Sequence, residues 1–255
     1  MGTAALSGLS WLPDGIALDL PELFAGRILR RYKRFLADCE LADGQAVTAH
    51  VPNTGTMATC WAPGAPVELS HSTDPRRKLP WTLERVDMGS GWVGVHTGRP
   101  NAVMAEGIAA GMIPGLAGYR TLRREVAYCP AGLEPGRLDL GLWDGPCPDA
   151  LVEVKNCTLL AGDCLRFPDA VSLRGRKHLD LLAAAVAEGR RGVMLFALNR
   201  PEGRRFAPAW AIDPGYGQRL REVADAGVEV LAVRLRHGPG RIDVGEGVAV
   251  DLTPP

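Results

Sequence analysis

The sequence has no apolar run near the ~18 residues a membrane-spanning helix requires. Its six cysteines, at 39, 60, 129, 147, 157 and 164, form no Cys-x-x-Cys pair and no Cys/His cluster at zinc-ligand spacing. The first twenty residues lack the basic start of a secretory signal, and Pro13, Asp14 and Asp19 interrupt them. They read as an N-terminal extension over residues 1–19 of a cytoplasmic protein with reduced thiols. Net charge is missing as well: 29 basic residues balance 29 acidic ones. That excludes a polyanion-coating protein but allows a local basic patch. Lysine is scarce. Only Lys33, Lys78, Lys155 and Lys177 stand among 25 arginines. A compact ammonium with a tunable pKa differs chemically from a permanently charged guanidinium, so these four positions point to candidate sites.

What is present suffices for a folded protein. A chain of 255 residues, 46% hydrophobic and 23% charged, can build one large domain or two small ones, and is no disordered polymer. There is neither an internal repeat nor a low-complexity tract.

The first third reads as β. Residues 25–41, 45–51, 66–70, 82–88 and 92–96 carry strand patterns separated by Asp43-Gly44, Pro52-Asn53-Thr54-Gly55, Pro63-Gly64 and Gly89-Ser90-Gly91. Five short strands predict a small barrel or sandwich. Beyond Pro100 the pattern alternates, with helices over 101–113, 173–188 and 215–226 and strands over 121–128, 137–143, 150–157, 192–199 and 228–236. That predicts an α/β domain, with the boundary between residues 98 and 99.

Two strands carry the chemistry. In 137–143, period two places Leu138, Leu140 and Leu142 on one face and Arg137, Asp139 and Gly141 on the other. In 150–157, Ala150, Val152 and Val154 oppose Leu151, Glu153, Lys155 and Cys157. If the strands pair, Asp139 and Glu153 converge across a ~4.8 Å spacing, with Lys155 beside them. Asp149 lies ~13 Å along the strand from Glu153, too far to share a cation with it. Two carboxylates held together in a partly dry site repel unless a proton or cation separates them. Mg²⁺ or Mn²⁺ with oxygen ligands fits, and a neighbouring ammonium can orient an attacking water or offset phosphate charge. An exposed ion pair on a strand face has the same spelling.

After these strands, Ser172 is a helix N-cap, and Leu179, Leu182, Ala183 and Val186 form an apolar stripe. Arg174, Lys177 and His178 share another face of the first turns, suited to a phosphate. In the β region, Arg31, Lys33 and Arg34 interleave with Tyr32 and Phe35. A strand there would align Arg31, Lys33 and Phe35 on one face, either to hold single-stranded nucleic acid or to guard a sheet edge. Arg77 and Lys78, in a loop, extend that patch, and Asn53 and Thr54 open a turn shaped as a phosphate nest.

The stretches Arg31–Asp38, His50–Met57, Arg137-Leu138-Asp139, Val152–Lys155, Phe167–Val171 and Arg174-Gly175-x-Lys177-His178-Leu179 closely resemble the sugar fermentation stimulation protein A family, in consistent order over residues 20–235. Val51 stands where the family pattern has Cys, and residues 1–19 are extra. The resemblance implies an N-terminal OB-fold domain over 20–98 and a C-terminal PD-(D/E)xK restriction-endonuclease-like α/β domain over 99–255. It places Asp139, Glu153 and Lys155 at nuclease-type positions, with Glu125 of Arg124-Glu125-Val126-x-Tyr128 as a supporting acid. It also implies DNA binding without sequence preference and a link to maltose use in bacteria. Two functions follow: a nuclease or related phosphodiesterase using Mg²⁺ or Mn²⁺, and a non-catalytic DNA-binding regulator on the same scaffold.

Overall fold

The computed structural model of the chain describes residues 17–255. Residues 1–16 of the expected extension lie outside the described residues. The elements begin with β1 (Ala17–Asp19), β2 (Leu23–Tyr32), β3 (Leu36–Leu41), β4 (Ala46–His50), β5 (Pro66–His71), β6 (Trp81–Asp87) and β7 (Trp92–Gly94). There follow α1 (Arg99–Ala109), β8 (Thr121–Tyr128), β9 (Gly136–Trp143), β10 (Ala150–Cys157), β11 (Leu159–Ala161) and β12 (Cys164–Phe167). The chain continues with α2 (Leu173–Ala187), β13 (Arg191–Leu198), β14 (Arg205–Pro208), α3 (Pro214–Asp225), β15 (Glu229–Gly238), β16 (Arg241–Gly247) and β17 (Ala249–Val250).

Strands β2 to β6 close into a five-stranded barrel in the order β4-β3-β2-β5-β6, because β4 also pairs with β6; β7 extends the β6 edge. This is the OB barrel. Alternate residues such as Ile28, Cys39, Ala49, Val67 and Leu83 fill its interior. The long β2 anticipated over 25–41 breaks at Lys33 and Arg34, both with positive φ (48° and 64°), which form the tip of the β2–β3 hairpin. Arg31, Lys33 and Phe35 therefore share no strand face. The left-handed backbone needed for the reversal turns the two cations into an exposed loop.

The second domain is a sheet of seven strands in the order β1-β16-β15-β13-β10-β9-β8, parallel from β10 through β13 to β15. Helix α1 covers one face; α2 and α3 cover the other. The last residues of the expected extension join the sheet: Ala17–Asp19 pair antiparallel with Asp243–Arg241, satisfying the backbone of the sheet edge. Helix α1 starts at Arg99, with Pro100 in its first turn, and ends at Ala109, not at 113. Gly111, at φ 74°, turns the chain so that Met112 and Ile113 pack on the core from a loop.

The central strands are buried on both faces. In β10, Ala150, Val152 and Val154 pack under α1, while Leu151 and Cys157 pack under α2, as period two predicts. Strand β9 breaks the rule. Leu140 and Leu142 belong to the α1 side, but Leu138 belongs to the α2 side. The change of face falls at Asp139, opposite Glu125, which has φ 54° in β8. The left-handed Glu125 interrupts the β8–β9 ladder at Asp139, whose pairing is missing between Arg124↔Leu140 and Val126↔Leu138.

Candidate metal and phosphate cleft

The strand distortion and the domain junction enclose a cleft of about 460 Å³. From the second domain it is lined by Asn101, Glu125, Arg137, Asp139, Glu153, Lys155, Asn156, Arg166, Asp169, Arg174 and His178. From the barrel side it is lined by Asn53, Thr54 and Gly55.

Strand β9 pairs with β10 only from Leu142↔Ala150 to Leu140↔Val152. At the next step the Asp139 carboxylate takes over: Oδ2 accepts the Val154 backbone N–H at 2.8 Å, and Oδ1 accepts from Asn101 Nδ2 at 2.7 Å. Burial pushes the Asp139 carboxyl up to about 6, with the Glu153 charge adding to it and the Val154 N–H and Lys155 opposing.

Glu153 is 2% exposed, so the surface ion pair is excluded. Its Oε1 meets both Lys155 Nζ and His178 Nδ1, and those two nitrogens lie 3.2 Å apart. Burial works against the Glu153 charge, yet His178 and Lys155 together hold its carboxyl below the usual range. Its other oxygen, Oε2, is buried with no hydrogen-bond partner. A buried carboxylate oxygen left unpaired is costly, and a cation is one way to satisfy it. Two hard oxygen donors beside a polar cleft fit Mg²⁺ or Mn²⁺, which usually keep waters and phosphate oxygens as their remaining ligands. Among the described residues no group of three or more His, Cys, Asp or Glu side chains is placed to hold a metal ion, so Asp139 and Glu153 would need water or phosphate oxygens to complete a site.

The other residues singled out in the sequence separate. Glu125 lines the cleft, exposed, with Arg137 Nη1 at 3.8 Å. Arg174 also lines it, its Nε 3.5 Å from His178 Nε2. Lys177 points away from its two helix neighbours and pairs with Glu134 Oε2 at 2.7 Å. The shared face anticipated for Arg174, Lys177 and His178 is split because His178 turns inward to Glu153. Ser172 is the N-cap as expected, accepting from Gly175 N at 3.0 Å. Lys33, Arg34, Arg77 and Lys78 are exposed and do not line the cleft. Arg77 donates to Thr82 Oγ1 at 2.8 Å.

Arg31 has an internal role. Its guanidinium donates to the carbonyls of Asn53, Gly55 and Thr56 at 2.9–3.1 Å, clamping the turn anticipated as a phosphate nest. That nest is filled by an anion of the protein itself. Met57 N and Thr56 Oγ1 lie 3.3 and 3.4 Å from Asp169 Oδ2, and a Cβ on Gly55 would fall 2.2 Å from that same oxygen. The chemistry of the nest was legible, but its occupant was not, since Asp169 is more than a hundred residues away. Thr54 remains exposed at the cleft edge.

Asn101, Arg137, Asn156, Arg166 and Asp169 escaped assignment by sequence. Arg137 and Asp169 lie inside stretches that carry the family resemblance, the available signal for them. Asn101, in the first turn of α1, carries none. Helix α1 is docked by Arg99, whose Nε and Nη2 grip the buried Glu84 of the barrel at 3.0 and 2.7 Å.

An OB barrel fused to a three-layer domain of the restriction-endonuclease type, with a cleft of mixed charge at the junction, defines the class. Residues 98–241 match the sugar fermentation stimulation protein RE domain, and residues 29–95 match the SfsA N-terminal OB domain. A sugar fermentation stimulation protein homolog of Acidithiobacillus ferrooxidans is 50% identical over 228 residues, 89% of this chain and 97% of that protein. One from Pelobacter propionicus is 46% identical over 235 residues, 92% and 100% of the two chains. The solved structure of Pyrococcus furiosus SfsA in complex with Ca²⁺ shares the fold, with a TM-score of 0.81 at 24% identity, covering 92% of this chain and 98% of that one. The chain belongs to the sugar fermentation stimulation protein family. No helix among the described residues is long and apolar enough to cross a membrane.

Proposed function

We propose that the protein is a DNA-directed phosphodiesterase, a nuclease that uses Mg²⁺ or Mn²⁺ held by Asp139 and Glu153. The observation that carries this reading is the pairing of the unpartnered buried oxygen of Glu153 with a neighbouring carboxyl that burial and charge raise to about 6. Such a pair is poorly satisfied alone and well satisfied by a divalent ion. The Ca²⁺ bound by the Pyrococcus furiosus relative supports a hard-cation site in this fold.

A divalent ion there would supply Lewis acidity, easing deprotonation of water and offsetting phosphate charge. The side chains do the rest. Asn101 and the Val154 N–H fix both oxygens of Asp139, so the carboxylate is held in one orientation. Glu153 holds the Lys155 ammonium at the cleft, where it orients the attacking water or balances charge developing on the phosphate. Arg137, Arg166 and Arg174 bring permanent positive charge to the same cleft for the DNA backbone. Glu125, next to Arg137, is a supporting acid at the rim.

The test is hydrolysis of single- and double-stranded DNA by purified protein with Mg²⁺ or Mn²⁺, in parallel with Lys155→Ala. The wild type degrades DNA and the variant does not. Equal cleavage by both rejects the role of Lys155. Binding without cleavage by the wild type leaves only the non-catalytic DNA-binding regulator.

A further inference from the structure

Cleft residue Asn156 follows Lys155 on β10 and has no part in the acidic pair. Its Oδ1 accepts from Asn199 Nδ2 at 2.9 Å, and Asn199 Oδ1 lies 2.6 Å from His237 Nε2. These three groups form a polar chain from the β15 strand, beneath the barrel, to the cleft. Asn199 is wholly buried. Gly94 of the barrel lies so close that a Cβ there would sit 2.3 Å from Asn199 Oδ1, and its N–H donates to the Asn199 carbonyl at 2.9 Å. The amide therefore has no room to swing.

The direction of this chain follows from His237. Burial, reinforced by the Arg85 charge, pushes its pKa down to about 3, so the ring is neutral. Its Nδ1 is buried without a partner. A buried N–H without an acceptor is rarer and costlier than a buried lone pair without a donor, so the proton sits on Nε2. Nε2–H then donates to Asn199 Oδ1, which turns the Asn199 NH₂ to Asn156 Oδ1. The NH₂ of Asn156 is left as the free end of the relay. Reversing the relay would instead present an oxygen to the cleft, which repels a phosphate.

We propose that Asn156 is a phosphate-binding residue, its side-chain NH₂ donating to a backbone phosphate oxygen of a nucleic-acid strand next to Lys155, with Asn199 and His237 as positioning residues that fix its orientation. This rests on the proposed DNA-directed function and adds a neutral recognition group to it. A neutral donor releases no counterion, which separates it from the arginines.

The experiment measures binding of fluorescein-labelled ten-residue oligothymidylate to the full chain in EDTA, over a salt series, with Mn²⁺ calorimetry alongside. Asn156→Ala weakens oligothymidylate binding about ten-fold, the value of one hydrogen bond to a charged group, with an unchanged salt slope and unchanged Mn²⁺ affinity. Asn156→Asp weakens it further. His237→Gln, which keeps a donor toward Asn199, binds more tightly than His237→Leu. Asn156→Ser serves as a second variant if the alanine form misfolds. If Asn156→Ala binds as the wild type does while Arg174→Ala is weakened, the inference fails and the DNA-directed reading stands. Loss of Mn²⁺ binding in Asn156→Ala makes the residue part of the metal scaffold and also overturns the inference. A wild type that does not bind the oligonucleotide overturns both.

Discussion

Asp139 Oδ2 accepts the backbone N–H of Val154 at 2.8 Å, so a side-chain carboxylate closes the ladder where strand β9 leaves β10. One contact both completes the hydrogen bonding of a central strand and fixes a catalytic candidate over the cleft. It also ties Asp139 to the strand bearing Glu153 and Lys155.

The arrangement costs stability when no cation is bound. The Asp139 carboxyl is raised from 3.8 to about 6, so the folded state keeps a proton that the unfolded chain releases. Its contribution is fully present below the unfolded value and is lost as pH rises through about 6. At neutral pH, ionised Asp139 therefore opposes folding by about 2–3 kcal/mol. Asn in its place should raise the metal-free melting temperature at pH 7.5 by several degrees and have little effect at pH 4. Calorimetric melting at the two pH values checks this, and a lower melting temperature at both contradicts it.

The cations should divide by position and not by sequence proximity. Arg174→Ala should weaken DNA binding and reduce the salt slope by about one, whereas Lys177→Ala, whose ammonium is held by Glu134, should leave both unchanged. The Arg77→Ala, Lys78→Ala double variant, outside the cleft, should behave like Lys177→Ala. Fluorescence anisotropy over a salt series distinguishes them, and a lower slope only in the loop variant would move the DNA path to the barrel.

Arg31→Ala should act on stability, not on the salt slope. It releases three turn carbonyls from their donor and slackens the loop that receives Asp169. A loss of about 1–3 kcal/mol is expected in denaturant unfolding. An unchanged midpoint with weaker DNA binding would return Arg31 to the nucleic-acid surface.

Gly55→Ala tests the seating of Asp169 in the turn of the barrel. The new Cβ would fall 2.2 Å from Asp169 Oδ2, so either the turn or the carboxylate must shift. We expect about 1–3 kcal/mol of destabilisation, largely relieved when Asp169→Ala is added. Additive losses in the double variant would show that the two residues do not couple.

Strand β10 was readable because period two holds where both faces are packed: Leu151 and Glu153 fall on the α2 side as the spacing predicts. Asp139 lines the cleft, but simple alternation does not describe its strand. Regular alternation puts Leu138 with Leu140, yet the left-handed Glu125 divides them between two cores. No local pattern foretells that distortion, because an ordinary glutamate occupies a conformation imposed by tertiary packing. The β2–β3 hairpin shows the same limit. Lys33 and Arg34 are not turn-forming types, so their positive φ values had no sequence signature. Asn199 and His237, far along the chain from Asn156, become a relay only once β10, β13 and β15 lie side by side.

The most direct test of the acidic pair is calorimetric titration of Mn²⁺ into the wild type and Asp139→Asn at pH 7.5. One ion should bind each wild-type chain, with affinity at least ~100-fold weaker in the variant, as expected when a ligating charge is removed. Superimposable isotherms from the two proteins would contradict the account.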